Sequence, residues 1–173
     1  MSKFKYKITV IGDGFVGKTS LIKKFTQKHF EEEYIKTVGA NFCSHIEEID
    51  GDRWELIFWD IAGQPDFHFL HPSFYKNSRA SIIVFSHEEN DLGRDSFKHI
   101  VDWYKEIKKF CGEIPMILFG NKVDLVDESK LDEEKIQKFI KKHNIIDYYR
   151  TSAKTGQNVE KAFKAIINTI RNK

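Results

Sequence analysis

The sequence predicts a doubly wound α/β fold: a six-stranded, mostly parallel sheet with one antiparallel edge strand and helices on both faces. Three observations lead there. Short, nearly continuous apolar runs alternate with stretches whose apolar residues recur at helical spacing; one pair of strand-like runs is joined by a tight turn; and a glycine-rich segment separates the first strand from the first helix. With 173 residues, 40% of them hydrophobic and 31% charged, the chain suits one domain over residues 1–173 that buries roughly 70% of its unfolded surface.

The elements follow in chain order. YKITVI (6–11) is the first apolar run, and GDGFVGKTS (12–20) is the glycine-rich turn after it. Leu21, Ile22 and Phe25 then start a helical stripe. NFCSHIEEI (41–49) and RWELIFWD (53–60) flank Asp50-Gly51-Asp52, a tight-turn signal, so they are expected to pair antiparallel as an edge hairpin. ASIIVF (80–85) and PMILFG (115–120) have the unbroken apolar character of strands covered on both faces, and IIDYYR (145–150) is a weaker last strand. Phe97, Ile100, Val101, Tyr104 and Ile107 mark one helix between them. Leu131, Ile136, Phe139 and Ile140 mark a second, and Val159, Ala162, Phe163, Ile166, Ile167 and Ile170 a third. Right-handed crossovers turn this order into three layers.

Composition removes several function classes. Lys and Arg number 28 against 26 Asp and Glu, a net charge of +2, so no global field favours nucleic acid. Cys43 and Cys111 share no metal-ligand spacing and read as small, mostly buried thiols of a reducing compartment. The segment MSKFKYKITV lacks the apolar core of a signal peptide, and no run approaches the ~18 apolar residues of a spanning helix. The expectation is a cytoplasmic monomer, with peripheral membrane association only through a further tail or a partner.

Gly12-x-x-x-x-Gly17-Lys18-Thr19 lies between a predicted strand and a predicted helix, the setting of a phosphate-binding loop. Glycines there let successive N–H groups of residues 12–20 (Gly12, Asp13, Gly14, Phe15, Val16, Gly17, Lys18, Thr19 and Ser20) turn toward one phosphate chain at a helix N-terminus. Lys18 would reach the outer phosphates and Thr19 would offer a hydroxyl to Mg²⁺. The loop alone specifies a nucleoside triphosphate, with an ATP-dependent kinase still open. Asn121-Lys122-Val123-Asp124 follows PMILFG at the carboxyl edge of the sheet. One carboxylate, that of Asp124, can accept from both the N1–H and the exocyclic amine of guanine, a donor pair adenine lacks; Lys122 can lie over the base and Asn121 can tie the two loops together. Thr151-Ser152-Ala153-Lys154 supplies another polar loop on that edge.

GDGFVGKT, Thr37, WDIAGQ, NKVD and TSAK, in this order across essentially the whole chain, resemble the Ras superfamily of small GTPases; TVGANF, the hairpin strands and Trp59 are most similar to its Rab branch. The resemblance implies a three-layer P-loop NTPase fold that binds GTP or GDP with Mg²⁺. It implies that Thr37 reaches Mg²⁺ and the γ-phosphate, Asp60 holds Mg²⁺ through water, Gly63 binds the γ-phosphate through its N–H, and Gln64 orients the attacking water. Phe30 packs on the base, Tyr34 lies against the nucleotide, and Ser152, Ala153 and Lys154 cap guanine. Lys18, Thr37, Gly63 and Gln64 are then the catalytic set, and Thr19, Thr37 and Asp60 the metal set.

Only 17 residues (20–36) separate Thr19 from Thr37, too few for an inserted domain bearing its own arginine finger, so slow hydrolysis is expected without an activating protein. The alternative is a guanine-nucleotide-bound interaction module with little hydrolysis. Effectors, exchange factors and activating proteins are expected on residues 34–42 and 59–75, with Phe42, Trp59 and Phe74 matching an effector triad or, as ordinary packing, part of the core. Phe15, Ile61 and Pro65 depart from the family pattern; Pro65 is expected to alter the path after Gln64, and His68 and His71 read as surface residues. After Cys111 there is no further cysteine, so no lipid anchor is read from the ending Arg171-Asn172-Lys173.

Overall fold

Strand order follows from where the apolar runs can be covered. In the computed structural model, which describes residues 1–172, six strands form one sheet in the order β2-β3-β1-β4-β5-β6. They are β1 (Lys3–Ile11), β2 (Ala40–Ile49), β3 (Asp52–Ile61), β4 (Ala80–Ser86), β5 (Met116–Asn121) and β6 (Tyr148–Arg150). β2 and β3 pair antiparallel with Phe42 opposite Trp59, and every other pairing is parallel. β4 and β5 are buried at every position, as expected of strands with helices on both sides.

Side chains alternate across the sheet and build two cores. On one face Ile8, Val10, Leu56, Phe58, Ile82, Val84, Ile117 and Phe119 pack against α1 (Lys18–Gln27) and α6 (Val159–Arg171). On the other, Ile11, Ile61, Ile83, Phe85 and Leu118 meet α2 (His71–Tyr75), α4 (Ile100–Cys111) and α5 (Glu133–His143). The helices begin where the sequence supplies caps: Asn90 accepts from Gly93 N–H at the start of α3 (Asp91–Lys98), and Asp132 from Lys135 N–H at the start of α5. The loops leaving β1, β3, β5 and β6 at their carboxyl ends therefore gather on one edge. Among the described residues no helix is long and apolar enough to cross a membrane.

Three expectations need correction. The helix read through residues 97–107 divides at His99, whose ψ of −8° leaves the helical range. The last strand starts at Tyr148 rather than at residue 145, because α5 runs on to His143 and Ile145 N–H still bonds to Ile140 O (3.1 Å). Cys43 and Cys111 are free and only half-buried: Cys43 lies on the edge strand β2, and Cys111 ends α4.

Candidate functional site

The loop joining β1 to α1 is shaped by glycine. Gly12 and Gly17 sit at φ +141° and +99°, and a Cβ would strike the Val84 carbonyl at the first and the Asn121 amide at the second. Lys18 is 6% exposed, and its ammonium folds back to donate to Gly12 O (2.8 Å) and Asp13 O (2.7 Å). Burial pulls Lys18 down to about 8 while Asp60 and then Asp13 oppose the shift, so it keeps its charge at neutral pH.

Thr19 in the first turn of α1, Thr37 before β2 and Asp60 near the end of β3 converge. The Thr19 hydroxyl donates to Asp60 Oδ2, lies 3.0 Å from the Thr37 hydroxyl, and Thr37 Oγ1 reaches Asp60 Oδ2 at 3.5 Å. Asp60 Oδ1 is buried without a partner, and burial pushes this carboxyl above its ordinary range against the Thr19 hydrogen bond and Lys18. Two hydroxyls converging on a carboxylate whose other oxygen is orphaned form a hard-oxygen set that fits a cation such as Mg²⁺.

Gly63 approaches the loop so closely that a Cβ would run into Gly12 O. Gln64 is extended (φ −78°, ψ 143°), as a residue before proline must be, and Pro65 opens a short 3₁₀ turn to Leu70. Gln64 Nε2 donates to Tyr34 OH at 3.3 Å while its Oε1 is buried and unpartnered. At the far end, Asn121 Nδ2 donates to Val16 O (2.9 Å), and its Oδ1 accepts from Thr151 Oγ1 and Ala153 N–H (3.2 Å each). Ser152 Oγ donates to Asp124 Oδ1 (2.6 Å), and Lys122, at φ 65°, pairs with Glu88 (2.8 Å).

One cavity of about 360 Å³ is lined by the predicted residues except Gly12, Asp13, Val16, Asp60 and Ser152. Gly12 and Val16 shape the loop behind it, and Asp60 and Ser152 bond to residues that line it. The Asp13 side chain turns away, gripped by His99 Nδ1 (2.6 Å) and Trp103 Nε1 (2.7 Å) of the α3–α4 segment. A phosphate-loop backbone, a hard-cation donor set and a carboxylate-bearing base loop thus share one cleft.

The sequence model of the Ras family matches residues 7–172. The chain belongs to the Ras family. It is 34% identical over 161 residues to the Ras-related protein Rab-21 of Homo sapiens, covering 92% of this chain and 69% of that one. It is 35% identical over 166 residues to Rab-18-B of Danio rerio (95% and 78% covered) and 34% identical over 166 residues to Rab-13 of Rattus norvegicus (95% and 79% covered). The chain is therefore a Rab-like small GTPase, a GTP-binding protein of the Ras superfamily.

His71 is not a surface residue: it is fully buried, with Nε2 against Ala62 O (3.0 Å) and Nδ1 against Glu106 Oε1 (2.8 Å), and Tyr75 OH also donates to Glu106 (3.0 Å). These two hydrogen bonds holding Glu106 draw its carboxyl below the usual range although burial pushes the other way. His68 is exposed as read. Trp103, 4% exposed, was missed although Ile100, Trp103 and Ile107 keep helical spacing. The rings of Phe42, Trp59 and Phe74 lie side by side, at 5.8 and 6.1 Å, with Phe42 71% exposed and thus outside the core.

Proposed function

We propose that the chain, acting as one domain and as a monomer in the cytoplasm, binds GTP and GDP with Mg²⁺, hydrolyses GTP slowly when alone, and presents its state to partners through residues 34–42 and 59–75. The convergence of Lys18, the Thr19–Thr37–Asp60 oxygens, Gln64, and Asn121 with Asp124 around one cleft carries this reading. Thr19, Thr37 and Asp60 would hold Mg²⁺, which supplies charge neutralisation beside the outer phosphates. Lys18 and the N–H groups of the glycine loop would take the remaining phosphate charge. Gln64, with an unpartnered Oε1, would accept a hydrogen from the attacking water and aim it.

Slow turnover has a physical basis. No arginine lines the cleft among the described residues, and a partner-supplied arginine is worth ~10³ to 10⁵ in rate. Loss of the γ-phosphate would release Thr37 and the Gly63 N–H, freeing residues 31–36, which are exposed throughout. Asp124, Asn121 and Lys122 would select guanine, with Phe30, Ala153 and Lys154 enclosing it.

One observation favours the second reading, a nucleotide-bound module with little hydrolysis: the Gln64 amide is engaged by Tyr34 rather than free. Identifying the nucleotide released on denaturation, followed by single-turnover hydrolysis, separates the two. Bound GDP and slow release of phosphate support the switch, retained GTP with no phosphate released supports the module, and an adenine nucleotide overturns both.

A further inference from the structure

Phe15 stands in the glycine loop at φ 66°, a left-handed backbone that bulky side chains rarely adopt. Its ring is not driven there by core packing, since the residue is 46% exposed. It stacks instead on Tyr34, itself 49% exposed, with ring centroids 4.1 Å apart and planes at 28°. Both residues line the cleft. Tyr34 in turn accepts the hydrogen bond from Gln64, whose side chain lies over Gly14, 3.0 Å from where a Cβ would stand.

This pair ties the segment 31–36 to the glycine loop and, through the Tyr34–Gln64 bond, to the residues that follow β3. Residues 31–36 are exposed throughout. Their other described side-chain contacts are the Lys23–Glu31, His29–Glu31 and Lys154–Glu32 pairs and the Lys36 ammonium 5.8 Å from the Phe67 ring, and exposed pairs of this kind hold weakly. An offset aromatic stack excludes water over a larger area and has a defined geometry.

We propose that Phe15 is a positioning residue: by stacking on Tyr34 it closes an aromatic gate across the phosphate end of the cleft and retards nucleotide release. The gate rests on the guanine-nucleotide reading above. It also implies that any side chain a partner inserts toward the phosphates must first part the two rings.

The test is release of a fluorescent GDP from the Mg²⁺-loaded protein, chased with unlabelled GDP, for wild type, Phe15→Gly, Tyr34→Ala, the double variant and Tyr34→Phe. Phe15→Gly and Tyr34→Ala each should speed release about three- to tenfold. The double variant should be no more than twofold faster than the faster single, because each single change already removes the stack. Tyr34→Phe, which keeps the ring, should show less than half the acceleration of Tyr34→Ala. Phe15→Asn, a residue that tolerates the left-handed backbone, repeats the experiment without adding glycine's flexibility and should match Phe15→Gly. Unchanged release in the Phe15 variants, or effects that multiply in the double variant, overturn the gate. Wild-type protein that takes up no guanine nucleotide overturns the switch reading itself, and the gate with it, before any variant is compared.

Discussion

The two ends of the cleft are built in opposite ways. At the base end the polar groups are already satisfied: Asn121 makes three hydrogen bonds that tie it to the glycine loop and to the Thr151–Lys154 loop, Asp124 is held by Ser152, and Asn121, Thr151 and Ser152 are almost fully buried. At the phosphate end Asp60 Oδ1 and Gln64 Oε1 are buried with nothing to bond, and residues 31–36 lie in solvent. Buried orphans cost about 1–3 kcal/mol each, so this end gains from whatever completes it. On the proposed reading, the base end would recognise its ligand without rearranging, whereas the phosphate end would take its final form around the ligand.

The sharpest probe of the preformed end is Asp124→Ala. Two charge-assisted hydrogen bonds to guanine would be lost, so GDP affinity should fall about 10³-fold and the preference over ADP should collapse, read by competition binding. Retained preference would move base selection away from Asp124. Asn121→Leu comes next. It leaves Val16 O, Thr151 Oγ1 and Ala153 N–H without their partner, costing about 3 kcal/mol and lowering the melting temperature by roughly 10 °C even without nucleotide.

The phosphate end should respond differently. Gln64→Leu removes the amide that, on the proposed reading, would orient the water, so single-turnover hydrolysis should fall about 10²-fold. The same change removes an unpartnered buried oxygen, so the nucleotide-free protein should unfold at equal or higher urea concentration. A loss of stability like that of Asn121→Leu would erase the contrast between the ends.

What was legible in the sequence follows the same division. The strands, the hairpin at Asp50–Asp52 and the glycine loop are local patterns, so the residues that carry them declare themselves. Asn121 and Asp124 were legible because a strand and a turn place them, whatever lies opposite. His71 was misread because its burial depends on Glu106, 35 residues away, and on the Ala62 carbonyl. Nothing local to a histidine at the start of a short helix announces either partner. The grip on Asp13 by Trp103, 90 residues on, was equally silent. The break at His99 was hidden because apolar spacing runs straight through it, and the side chain that reaches Asp13 from there is polar.

The smallest predicted effect concerns the scaffold beneath the base loop. His87 packs under Gly120, its backbone N–H donates to Asn121 O (2.9 Å), and its ring Nε2 lies 2.6 Å from Tyr148 OH. Burial pulls its imidazole down to about 4, with Arg150 adding to the effect and Glu128 opposing it. An unfolded histidine titrates near 6.5, so between those values the unfolded chain binds the extra proton. The stability that neutral His87 allows is therefore complete above pH ~6.5 and declines as pH falls toward 4. Over that window it amounts to on the order of 2 kcal/mol. Urea unfolding of wild type and His87→Gln at pH 7.5 and 4.5 should show a loss on acidification smaller by about this amount in the variant. Parallel losses would mean that His87 is protonated in the folded protein, and the base end would then have no advantage in rigidity to lose in acid.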